Sequence, residues 1–148
     1  MAKARRGPSI ALQVLFYPVT DDISDNGSYR AFAEGPILAL PDMAYFFDAY
    51  FPSMTQRDEI TAFPLRASLD ELKDLPEALV IVSEIDLLRD EGEAYARKLH
   101  EAGVPATTVR YGGTVHGFVV FDALADTPPA RAAVAQASHA LRTALHRP

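Results

Sequence analysis

Two residues suited to proton transfer stand just beyond apolar, strand-like runs of this chain. Asp86 lies in Ser83-Glu84-Ile85-Asp86-Leu87-Leu88, and His116 lies in Tyr111-Gly112-Gly113-Thr114-Val115-His116-Gly117-Phe118. In open α/β sheets, ligands bind beyond the carboxyl ends of the strands. Neighbouring parallel strands would bring these two loops side by side. A carboxylate that accepts from a histidine ring N–H fixes the tautomer and stabilises the imidazolium, which is the base-and-orienter half of a hydrolytic triad. The glycines around His116 let the backbone approach a small molecule closely. A plainer reading stands beside this one: Asp86 caps a helix that starts near Leu88, and His116 is an ordinary loop histidine.

The other candidates are thinner. His139 and His146 are seven apart on one helical stretch but have no third ligand nearby for zinc. Asp21, Asp22 and Asp25 resemble a calcium loop only until the sixth and twelfth positions, which are Asn26 and Phe32. Tyr45, Phe46, Phe47, Tyr50 and Phe51 form an aromatic cluster. It suits a helix packing on a sheet or cap better than a nucleotide platform. No cofactor or metal is expected.

The elements that must position Asp86 and His116 alternate between strand and helix. Residues 10–17 are rich in large apolar residues and end at Pro18, the pattern of a strand buried on both faces. Residues 79–83 form a second such strand. Residues 106–111 form a third, β-branched and closed by Gly112-Gly113. Between the last two, residues 88–102 read as a helix with Leu88, Tyr95, Leu99 and Ala102 on one face. Its acids Asp90, Glu91 and Glu93 come early and its bases Arg97 and Lys98 come late, as the helix dipole favours. Gly103 is the expected left-handed cap. A C-terminal helix over residues 129–145 carries an apolar seam of Ala130, Val134, Ala137, Leu141 and Leu145. Three parallel strands with helices on both faces make an α/β, doubly wound sheet. Residues 20–75, with Pro36, Pro41, Pro52, Pro64 and an amphipathic helix over 42–50, read as a cap-like insertion within the single domain of residues 1–148.

Composition narrows the function classes. The 148 residues are 49% hydrophobic and 23% charged, the proportions of a globular domain. A net charge of −6 argues against nucleic acid or an anionic membrane surface as partner. No apolar run approaches the roughly 20 residues of a membrane span. The lack of cysteine excludes disulfide scaffolds, thiolate catalysis and iron–sulfur clusters, and fits a cytoplasmic location.

Three blocks carry a family resemblance. Val14-Leu15-Phe16-Tyr17-Pro18-Val19-Thr20-Asp21, then Asp86-Leu87-Leu88-Arg89-Asp90-Glu91-Gly92-Glu93-Ala94-Tyr95-Ala96, then Tyr111 through Phe118 resemble successive segments of the hormone-sensitive-lipase-like esterases of the α/β-hydrolase superfamily. The resemblance implies serine-dependent hydrolysis of carboxylic esters, with Asp86 at the triad acid position and His116 at the triad base position. Leu87 stands where the family usually has proline.

The family's nucleophile elbow, G-x-S-x-G, and its His-Gly-Gly-Gly oxyanion loop are both absent. None of Ser9, Ser24, Ser28, Ser53, Ser68, Ser83 and Ser138 has glycine at −2 and +2. In the chain order serine, acid, base, the elbow would precede Met1, and residues 1–8 resemble the end of the helix that follows it. The expectation is therefore a partial α/β-hydrolase domain, the C-terminal part of an esterase. Two readings follow: an ester hydrolase whose Asp86 and His116 work with a serine not encoded here, or an inactive, truncated chain acting as a partner-dependent interaction module. The expected partners are a small-molecule ester and either a second copy or the missing amino-terminal half.

Overall fold

The structure, a computed structural model, describes residues 2–3, 5–51 and 59–146. Its core is a parallel sheet in the order β1 (Gln13–Phe16), β2 (Ala78–Ile85), β3 (Ala106–Val115). β2 is central and reads as a run of buried Ala78, Leu79, Val80, Ile81, Val82 and Ser83 because both of its faces are covered. On one face, Val80 and Val82 pack against Tyr95, Ala96 and Leu99 of the helix α4 (Arg89–Glu101). On the other, Leu79 and Ile81 meet Phe118 and the alanines of the helix α5 (Pro128–Leu145). The expected three-layer α/β arrangement is present.

The helical face Leu88, Tyr95, Leu99 and Ala102 is buried as the spacing predicts. Gly103 ends α4 with φ +80°. Glu93 lies 4.0 Å from Arg97, but its closer partner is Arg110 of β3, which grips it with two bonds of 2.7 and 2.8 Å.

Three expectations need correction. β1 pairs over four residues rather than the eight of residues 10–17, and all four are half-buried. Its half-burial shows that it is not buried on both faces, and among the described residues it has a neighbour on one side only, which makes it an edge strand. β3 runs on through Gly112 and Gly113 to Val115, because a register shift lets the ladder continue past them. The seam of α5 is also rotated. Ala130, Ala133, Ala137 and Ala144 face the protein, while Val134, Leu141 and Leu145 are exposed. Small side chains at i, i+3 and i+7 let the helix approach the sheet closely, and that close fit outweighs burial of the larger residues.

Among the described residues, 20–75 hold three short helices, α1 (Gly27–Ala31), α2 (Leu40–Tyr50) and α3 (Leu69–Leu72), with a 3₁₀ turn at Pro64–Arg66. The expected helix over 42–50 starts two residues earlier. Pro41 sits in its first turn, and the Asp42 carboxylate accepts from the Ala39 N–H at 2.9 Å. Residues 2–3 and 5–6 lie in turns, with Gly7 N–H donating to Ala2 O at 2.8 Å. Met1, Pro52 and Ser53 are outside the described residues. Among those residues no helix is long and apolar enough to cross a membrane.

Candidate acid–base site

The sheet register brings the site together. Ile85 of β2 pairs with Val115 of β3, so Asp86 and His116 are the next residues on neighbouring strands. From the Ser83–Tyr111 pair to the Ile85–Val115 pair, β3 uses two residues more than β2. The excess is taken up at Gly112 and Gly113, where Gly113 N–H donates to the Glu84 carboxylate at 2.6 Å. Side chains one step past a paired position on adjacent parallel strands stand about one strand spacing apart, roughly 4.8 Å. That is within reach of a carboxylate and an imidazole.

The Asp86 side chain is fully buried, and its two oxygens serve two partners. Oδ1 accepts from the Leu88 N–H at 2.9 Å, and Oδ2 lies 3.0 Å from His116 Nδ1. The dyad contact is present, but Asp86 does not cap α4: the N-cap position is Leu88, without a side-chain cap bond, and the Oδ1 contact closes the turn just ahead of the helix. A carboxylate only accepts, so Nδ1 carries the hydrogen and Nε2 of the neutral ring keeps its lone pair.

His116 is held on its other side by Tyr17, whose ring centroid is 4.6 Å away at an interplanar angle of 59°. Tyr17 follows β1 directly with φ +36°, an uncommon backbone for a residue with a side chain, and its N–H donates to Ile81 O at 2.6 Å. After His116 the chain turns at Gly117, where φ is +76° and an added Cβ would sit 2.2 Å from the Phe121 ring. A side chain at this position would have to displace that ring.

A second buried carboxylate ties the loop after β1 to α4. Glu91 accepts from Thr20 N–H at 2.6 Å and Asp21 N–H at 3.2 Å, while Thr20 Oγ1 donates to Glu91 O at 3.0 Å. Burial pushes its carboxyl up to about 7, against the opposing pull of those two backbone donors. Next to it, Ser28 N–H donates to Asp90 at 2.8 Å and Ser28 Oγ donates to Leu87 O at 2.7 Å. The chain after Tyr17 and the start of α4 beside Asp86 are thereby locked to one another. Sequence reading missed Tyr17 and Glu91 as site-building residues. Glu91 looked like one more acid in a helical first turn, and nothing in its spacing marked it as buried.

The described serines are engaged elsewhere or lie apart. Ser68 caps α3 through Glu71 N–H, Ser24 accepts from Asn26, Ser28 is spent on Leu87, and Ser83 is buried in β2 without a hydrogen-bond partner. Ser138 lies on α5 and Ser9 precedes β1. Asp21 and Asp25 are paired with Arg66 and Arg30 at 2.7 Å each, and Asp22 faces Arg66 at 3.9 Å. His139 and His146 are exposed on and just after α5. No cluster of three metal-ligating side chains occurs among the described residues. Within the aromatic cluster, Phe47 is buried against Phe51 and Phe63, while Tyr45, Phe46 and Tyr50 are largely exposed.

Comparison with known proteins gives a consistent picture. The sequence profile of the alpha/beta hydrolase fold matches residues 1–120. An esterase of Fusarium pseudograminearum is 34% identical over 144 residues, which is 96% of this chain and 44% of that protein. The carboxylesterase NlhH of Mycobacterium tuberculosis is 33% identical over 148 residues, 99% of this chain and 46% of that one. Among solved structures, a thermostable esterase from Pseudomonas putida superposes with a TM-score of 0.96 at 44% identity, covering 99% of this chain and 46% of its own. The chain thus spans under half the length of these relatives.

Proposed function

The chain belongs to the alpha/beta hydrolase fold family, and from that premise we propose that Asp86 and His116 are the acid and base of a serine-type carboxylic-ester hydrolase whose nucleophile lies outside these 148 residues. The observation that carries the reading is the 3.0 Å contact between His116 Nδ1 and the fully buried Asp86 Oδ2. The names of the relatives, esterases in a bacterium and a fungus, support the reaction class.

In this reading His116 Nε2 takes the hydroxyl proton of the serine as its oxygen bonds to the ester carbonyl carbon. The carbonyl π pair moves to oxygen. Collapse of that intermediate breaks the bond to the alcohol, which leaves with the proton held on Nε2. Water then repeats the sequence on the acyl-enzyme, with His116 again base and then acid. Asp86 holds the imidazole orientation and its charge offsets the imidazolium. Residues 20–75 form the cap of the site in the same proposal.

A chimera tests it. These 148 residues replace the matching portion of the Pseudomonas putida esterase, and hydrolysis of p-nitrophenyl esters is measured. We expect the chimera to hydrolyse, and His116→Ala and Asp86→Asn each to lower kcat about 10³–10⁴-fold. The 148-residue chain alone should show negligible activity, since a missing nucleophile removes the covalent route. Undiminished activity of the His116→Ala chimera overturns the base assignment. Robust activity of the chain alone, lost on His116→Ala and on treatment with a serine-directed phosphonate, overturns the placement of the nucleophile.

A further inference from the structure

Ser83 and Ile85 of β2 pair with Tyr111 and Val115 of β3, so Glu84 alone stands opposite Gly112, Gly113 and Thr114. The meeting of His116 with Asp86 depends on that excess. Had the parallel ladder continued step for step past Ser83 and Tyr111, Asp86 would stand level with Thr114. His116 would then lie two residues further along, roughly 6.6 Å at the rise of a parallel strand. The bulge shortens β3 by that amount and sets His116 level with Asp86, where the 3.0 Å contact forms.

Three features hold the bulge in shape. Gly113 turns through φ +68°. Buried Thr114 donates from Oγ1 to Tyr111 O at 2.7 Å. The Glu84 carboxylate accepts the Gly113 N–H at 2.6 Å. The first two are internal to β3. The third crosses to β2, so it alone of the three fixes where the bulge sits relative to Asp86. A hydrogen bond to an ionised carboxylate is roughly twice as strong as a neutral one, which suits it to this task at an exposed position. The backbone that carries Glu84 is itself held: Arg89 Nη1 donates to Glu84 O at 3.0 Å, and Arg89 Nε pairs with Asp90 at 2.8 Å. Glu84 and Asp86, two residues apart at the end of β2, thus grip two points of one β3 segment, the Gly113 N–H and His116 Nδ1. We infer that Glu84 is a positioning residue, whose bond to Gly113 sets the level at which His116 meets Asp86. The inference rests on the reading of that pair as hydrolytic and adds a residue that acts on the reaction through His116.

The His116 Nδ1–H resonance in NMR of the 148-residue chain reports the contact with Asp86, and kcat and KM of the chimera on a p-nitrophenyl ester report its use. Glu84 is exposed, so its replacement leaves the core intact. Glu84→Ala should move the resonance upfield and lower kcat about tenfold, the low end for one hydrogen bond to a charged group, with KM changed by less than about twofold. Glu84→Gln keeps an acceptor for the Gly113 N–H and should restore the resonance and most of kcat. Glu93→Ala is the control. It removes the partner of Arg110 on the same strand, and it should lower stability in urea without moving the resonance or kcat. An unmoved resonance in Glu84→Ala, a moved resonance with unchanged kcat, Glu84→Gln as impaired as Glu84→Ala, or Glu93→Ala with the same shift as Glu84→Ala would each overturn the inference. An inactive parent chimera would count against the hydrolytic reading alone, because the resonance is read on the chain without substrate and still decides the role of Glu84.

Discussion

Asp86 shows how one side chain can satisfy a structural and a chemical demand together. Its two oxygens point to different partners, the Leu88 N–H at the start of α4 and the His116 ring. Burial removes competing water from both contacts, so each constrains the carboxylate more than an exposed bond would. His116 in turn is held by three neighbours: Asp86 at Nδ1, the tilted Tyr17 ring 4.6 Å away, and the turn at Gly117 that follows it. The glycine is open to a direct comparison. Gly103 and Gly117 both have positive φ, +80° and +76°, but an added Cβ meets nothing within 4 Å at Gly103 and the Phe121 ring at 2.2 Å at Gly117. Gly103→Ala should therefore cost about 1 kcal/mol, the ordinary left-handed penalty. Gly117→Ala should cost about 1–3 kcal/mol more, because the ring must move as well, and it should shift the His116 signal in NMR while Gly103→Ala leaves that signal in place. Denaturant titrations of the two variants, showing equal losses, would remove Gly117 as a determinant of the site.

At the scale of elements, the attachment of the loop after β1 to α4 runs through Glu91, and it carries a pH signature. The folded carboxyl is raised to about 7 from an ordinary value of 4.5. Between those values the folded chain holds a proton that the unfolded chain has lost, so stability falls as pH rises through this window and levels off above it. The full change is about 3 kcal/mol. Glu91→Gln keeps an oxygen for the Thr20 and Asp21 N–H donors but does not titrate. It should flatten the pH dependence of urea unfolding between pH 4.5 and 8 and match or exceed the wild type at the upper end. A variant whose stability follows the wild-type curve across that range would show that Glu91 is not the group responsible. This clamp also marks where sequence reading stops. The central strand, α4 and the pairing of Asp86 with His116 were legible because apolar runs, helical spacing and chain order are local patterns. Burial of Glu91 was not, since it depends on Thr20 arriving from 71 residues away. The seam of α5 was misread for a related reason. Hydrophobicity ranks Val134 and Leu141 above Ala133, but the distance at which a helix packs on a sheet favours the smaller side chain.

At the scale of the whole molecule, apolar surface that has no described partner governs behaviour in solution. Among the described residues β1 has a neighbour on one side only, and all four of its residues are half-buried. Ile10 just ahead of it is exposed, and on α5 Val134, Leu141 and Leu145 form a second apolar strip at helical spacing, with Leu145 69% exposed. An open strand edge offers unpaired N–H and C=O groups to another chain. Covering a large apolar side chain contributes about 1.5–3 kcal/mol, against a typical domain stability of only 5–15 kcal/mol. Two or three such side chains covered by a partner would change the folded population substantially. The 148-residue chain should therefore self-associate at micromolar concentration, with a melting temperature that rises with concentration and measurable binding of a hydrophobic dye. Adding the half of the Pseudomonas putida esterase that this chain does not match should lower both the light scattering and the dye signal, because those residues would compete for the same edge. Lys and Glu placed on the exposed strip of α5, at Val134 and Leu141, should reduce association without loss of secondary structure, which separates the contribution of the helix from that of the strand. A chain that melts cooperatively as a monomer, at a temperature independent of concentration and without dye binding, would show that edge and strip are already protected.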